Sequence, residues 1–166
     1  MERGLNKRAQ QTMSMPFGLI FAIFLIVVFI VIAFIAVNIF LDIGQASNVG
    51  MFYDELQDAV DEAWRSQTSE FDFEIDLPSG IERVCFANLS ASITGPQTDY
   101  NAIKNYDVYE ANTFLVPPEK AEHMEWKLIK HINISKTTEN RNPYCIDISR
   151  DMKIKKDFYD KLVVIE

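Results

Sequence analysis

The chain has 166 residues, with 16 Lys and Arg against 24 Asp and Glu. An acidic balance of this size argues against nucleic acid as a partner, because a phosphate backbone needs a basic face. Two cysteines and two histidines, with no C-x-x-C and no Cys/His cluster, point to neither zinc nor redox chemistry.

Residues 1–16 are polar and carry Arg3, Lys7 and Arg8 against Glu2 alone. Phe17 to Val37 then reads FGLIFAIFLIVVFIVIAFIAV, 21 residues without a charge or a polar face. A helix of that length rises about 32 Å, enough to cross a hydrocarbon core of about 30 Å. The pattern predicts a transmembrane helix over residues 17–41, following a basic cytoplasmic leader over 1–16. A cleaved secretory signal has a shorter apolar core of about 7–15 residues, so this stretch reads as a retained anchor. Lys and Arg beside the first span stay inside. The N-terminus is therefore expected in the cytoplasm, with the acidic remainder outside the cell membrane. Gly18 and Ala22 form one small-xxx-small pair, and Ala33 and Ala36 are two more small positions where helices can approach closely. Membrane lipid and further copies of the chain are the expected partners of this helix.

Lys7-Arg8-Ala9-Gln10, two bases, a small residue and Gln ahead of a long apolar helix, resembles the processing site of archaeal type IV pilin-like and archaellin-like precursors. The resemblance implies a cut between Ala9 and Gln10 by a membrane peptidase, with the apolar helix left on the mature chain. It covers only about the first 40 residues and says nothing about the rest of the fold. Read without it, the same residues are a basic anchor flank.

Residues 42–50 hold Gly44 and Gly50 among small polar side chains. They read as a joint, either flexible or a weak continuation of the helix, since an interior Gly costs about 1 kcal/mol relative to Ala. Residues 51–166 are expected to form an extracytoplasmic α+β domain. Its first element is an amphipathic helix near Met51 to Ser66, with Phe52, Leu56, Ala59, Val60 and Ala63 on one face. Asp54, Glu55, Asp58, Asp61 and Glu62 lie elsewhere and read as a solvated face, because no calcium-loop pattern accompanies them.

Phe71 to Leu77 alternates apolar and acidic side chains with period two, a strand pattern. After the Pro78-Ser79-Gly80 turn, Ile81 to Ala87 reads as a more central strand. Ser92 to Tyr106 reads as a loop, with Tyr100, Tyr106 and Tyr109 as an aromatic cluster. Asn112–Val116, Trp126–Ile134 and Tyr144–Ser149 are further expected strands, and Asp157–Ile165 is apolar enough to close the sheet. The expectation is one antiparallel sheet of about five or six strands, the usual size, packed on the amphipathic helix.

Cys85 and Cys145 both fall in the segment expected outside, where a disulfide is favoured. Closing a loop of about 60 residues contributes roughly 4 kcal/mol on the chain-entropy model. Asn88-Leu89-Ser90 and Asn133-Ile134-Ser135 are glycosylation sequons, so Asn88 and Asn133 are expected to face solvent. His123 and His131 form no recognised ligand pair. No nucleophile elbow, zincin motif, P-loop or dinucleotide fingerprint is present, so no catalytic residue, cofactor or metal is implied and the chain does not read as an enzyme. The leading expectation is a pilin-like structural subunit of a surface filament. The alternative is a single-pass anchored protein whose external domain binds a surface protein partner or a glycan.

Overall fold

The computed structural model describes residues 14–166. The chain divides into two compact units, Met1–Leu41 and Asp42–Glu166. Helix α1 (Ser14–Arg65, 52 residues) contributes to both. It includes residues 44–50 without a break, so the stretch that the sequence left as a joint or a weak continuation takes the second form. Gly44 and Gly50 are tolerated because tertiary packing outweighs propensity: Val49 and Phe52 beside them are buried in the core of the second unit.

In the first unit, Phe17–Phe40 is a run of 24 residues long and apolar enough to cross a membrane. Its large side chains are exposed, Phe17 and Phe40 among them.

The second unit is α+β. After α1 come β1 (Ser69–Phe73), β2 (Arg83–Phe86), α2 (Gln97–Ile103), β3 (Thr113–Val116), β4 (Trp126–Lys127), α3 (Ile134–Thr137), β5 (Tyr144–Asp147), β6 (Met152–Lys156) and β7 (Val164–Ile165). Two antiparallel sheets form, not one: a three-stranded sheet in the order β1-β6-β7 and a four-stranded sheet in the order β4-β3-β2-β5. The expected single sheet is corrected here. The alternating acids of β1 find their partners in β6, with Glu70 opposite Lys155 and Asp72 opposite Lys153. Met152 and Ile154 of β6 are buried while Lys153 and Lys155 lie on the other face. That cross-strand charge match sends β1 to β6 and away from β2.

The principal core joins one face of α1 to both sheets. Phe52, Leu56, Val60 and Ala63 meet Val84, Phe86 and Leu115 from one sheet and Met152, Ile154 and Ile165 from the other. The period-two rule puts the neighbours on the opposite face, so Cys85, Ala87, Phe114 and Val116 build a second core with Ile103 of α2. The sheet is thus apolar on both sides, as the two-sided pattern of Ile81–Ala87 implies.

Three further expectations change. Residues 97–103 form α2 within the stretch read as a loop, because Ile103 fills the second core and the buried Asp99 pairs with Arg83. The strand expected over Trp126–Ile134 stops at Lys127. There the side chain of Asn112 takes over, donating to the Ile129 carbonyl at 2.8 Å and accepting from the Ile129 N–H at 2.9 Å. The C-terminal stretch 157–165 is mostly loop, with strand only at β7, while Met152–Lys156 supplies the strand that pairs with it.

Leu56 has no exposed surface, so Leu56→Ala should cost about 2–5 kcal/mol. Leu128→Ala, on the open surface, should cost about 0.5 kcal/mol or less. Denaturation of the full chain in detergent, followed by near-UV circular dichroism, checks both.

Candidate functional site

A helix with exposed apolar side chains is the most unusual surface of the molecule. Gly18, Ala22, Ala33 and Ala36 are exposed along it. At 3.6 residues per turn they share one side, within an arc of about 60°. A Cβ added at Gly18 would meet nothing within 4 Å, so among the described residues its lack of a side chain serves no contact. Ala9 and Gln10 lie outside the described residues.

Cys85 and Cys145 stand opposite each other in the β2–β5 register and are joined by a disulfide, with an S–S distance of 2.02 Å. The bond ties a central strand to an edge strand.

The two sequon asparagines are both half-buried. Asn88 accepts from the Ser90 N–H at 3.1 Å, and Asn133 caps α3 by accepting from the Lys136 N–H at 3.1 Å. Each bond uses the amide oxygen and leaves Nδ2, the atom that would carry a sugar, out of it. Asn88 is also held through Asn142, whose Nδ2 donates to the Asn88 carbonyl at 2.8 Å. Gly95 sits against the same corner. A Cβ there would come within 2.6 Å of the Pro143 carbonyl oxygen, so only glycine fits.

The two histidines part company. His123 is exposed in a turn, beside Glu122, with both backbones in the left-handed region. His131 is clamped to α1. Its Nδ1 lies 2.8 Å from Asp61 Oδ1, and its ring stacks on Trp64 at 3.8 Å and 3°. Gln57 donates to Asp61 at 2.8 Å and accepts from the Lys130 N–H at 2.8 Å. Gln57, Asp61 and Trp64 are spaced i, i+4 and i+7, so one stripe of the helix grips the loop at 130–131. The His131 hydrogen bond holds the Asp61 carboxyl below the ordinary aspartate range; burial opposes this, and Gln57 and the His131 and Arg65 charges add to it. Sequence spacing alone did not reveal the clamp, because its halves lie some 70 positions apart.

Asp99 is fully buried between Arg83, with which it forms a close ion pair, and Arg141 at 3.7 Å. It pins the start of α2 to β2. Among the described residues no three His, Cys, Asp or Glu side chains come together to hold a metal.

An open groove of about 860 Å³ lies between residues 107–112 and 128–134. Tyr109 of the expected tyrosine cluster stands on its rim, stacked on Trp126 at 4.5 Å, with Tyr106 behind it at 6.4 Å. Tyr100 lies on α2. Two exposed rings that the sequence did not single out, Phe158 and Tyr159, cap the loop between β6 and β7. Their signal was local, two adjacent aromatics between Asp157 and Asp160 in a polar loop.

No family model, curated protein or solved structure matches this chain.

Asp61 supports a pH prediction. A carboxyl whose proton affinity is lowered in the folded state stabilises the fold above its ordinary titration range. That contribution is lost as pH falls through its lowered folded value. Asp61→Asn should therefore be less stable than the parent chain at neutral pH, and the gap should close from about pH 5 downward. Thermal melts across the acid range test it; a gap that stays constant would refute the clamp.

Proposed function

We propose that this chain is a pilin-like structural subunit of a cell-surface filament, assembled through its N-terminal apolar helix. The observation that carries the reading is Phe17–Phe40, 24 residues of apolar helix with none of the run buried. Such a surface is stable in lipid or against copies of itself. The small residues Gly18, Ala22, Ala33 and Ala36 on one side favour close helix contacts of that kind.

Before assembly the helix spans the cell membrane once, with the basic leader inside and the acidic folded unit outside. Arg3, Lys7 and Arg8 hold it there. A cut between Ala9 and Gln10 removes all three, and the freed helices then bury their apolar surface in a dry core. On this reading the role is structural rather than enzymatic.

A second reading keeps the helix as a permanent single-pass anchor and gives binding of a surface protein or a glycan to the folded unit. The open groove beside the stacked Tyr109 and Trp126 favours it, since exposed aromatic faces suit sugar rings and peptide side chains alike.

N-terminal sequencing of the protein from its native cells separates the two. The filament reading expects a mature chain beginning at Gln10. It also expects that Ala9→Asp leaves residues 1–9 in place and abolishes filaments. Filaments built from uncut chains would refute the processing step, and uncut monomers in membranes would establish the anchor.

A further inference from the structure

The loop over residues 157–161 presents two aromatic rings to solvent. Phe158 is 61% exposed and Tyr159 93%, and they pack edge to face on each other with centroids 5.2 Å apart. The loop beneath them is held in place. Asp160 N–H donates to the Asp157 carbonyl at 2.9 Å, and Lys136 Nζ donates to Asp160 Oδ2 at 2.7 Å. The rings are a preorganised knob, whose ordering cost has been met before any partner arrives. Isolated apolar side chains at a surface are ordinary; a paired aromatic knob is the form that interface anchors take.

The same unit carries a matching hollow. The groove of about 860 Å³ has Val108, Tyr109 and Leu128 on its walls and Ile129 and Ile132 toward its floor. Val108 is 79% exposed. The rims carry opposite charges, Asp107 and Glu110 on one side and Lys130 on the other. Charges of both signs flank the knob too, with Asp157 before the rings and an exposed Lys161 after them. Lys161 complements the acidic rim, while Asp157 is already paired with Lys155 at 3.8 Å. The knob does not fill its own groove: Phe158 and Tyr159 are exposed and are not among the residues that line it.

We infer that the Phe158–Tyr159 knob of one copy docks into the groove between residues 107–112 and 128–134 of a second copy. Two aromatic side chains bury about 300–500 Å², a large part of the roughly 800 Å² per partner of a standard interface. The inference rests on the filament reading for a second copy close by, and adds a contact outside the apolar helix.

The test uses the full chain in its native cells, with the photoreactive residue benzoylphenylalanine in place of Tyr159. Light-labelled and heavy-labelled copies are mixed so that links between copies are distinguished by mass. Irradiation should join position 159 of one copy to a peptide containing Val108 to Ala111, or Leu128, of another. Val108→Asp should lower the yield about tenfold or more, as loss of a hot-spot contact does, with the near-UV spectrum unchanged. Links confined to one copy, links to another region, or no link would each overturn the docking. Electron microscopy of the same cells keeps the two proposals apart. Filaments without the link leave the filament reading standing and remove this contact. The link in membranes that bear no filaments keeps the contact and removes the filament.

Discussion

Phe17–Val37 has no polar side to turn toward water, and that constraint governs the molecule. Burying a Leu, Ile, Val or Phe side chain is worth about 1.5–3 kcal/mol. More than a dozen such side chains are exposed along α1, so leaving them in water would cost more than the about 5–15 kcal/mol that stabilises an ordinary domain. An apolar surface of this kind favours an apolar environment over water, which the proposed reading supplies as lipid or as other copies of the chain.

The Asp42–Glu166 unit solves a separate problem with the same helix. Phe52, Leu56, Val60 and Ala63 of α1 give two small sheets a common surface. Each sheet buries an apolar face against that helix. The four-stranded sheet also supports α2 on its far face, where the Cys85–Cys145 bridge links β2 to the edge strand β5. Closing a loop of 60 residues restricts the unfolded chain by roughly 4 kcal/mol on the entropy model, a useful increment for a unit of this size.

Much of this could be read from local pattern. The apolar run is legible from its length and uniformity, the Phe52–Ala63 face from its helical period, and the strand around Val84 from apolar residues on both of its faces. What could not be read depends on partners distant in sequence. Asp72 reads in the sequence only as the acidic side of a strand; Lys153 opposite it, and Lys155 opposite Glu70, appear only in the fold, and that pairing splits one expected sheet into two. Met152–Lys156 alternates too, but its five residues were masked by lysines. Asn112 ends the strand at Lys127 by imitating a backbone partner, which no period reveals. At the surface, Tyr109 stood out as part of a cluster, and Phe158 and Tyr159 carried a local signal hidden within the strand expected over 157–165, whereas the grip of Asp61 and Trp64 on His131 required the fold.

Surface chemistry follows from these placements. The small-residue side of the helix, the groove and the aromatic knob, to which the proposals assign association, sit on regular elements or well-held loops. The most direct test of the account is the physical state of the intact chain in its native cells. Cells are sheared, membranes are washed with alkaline carbonate, and every fraction is checked by mass spectrometry for residues 17–40. The account predicts that chains retaining this segment appear only in washed membranes or in sedimenting surface filaments. Chains that keep residues 17–40 and remain monomeric in the aqueous supernatant would contradict it.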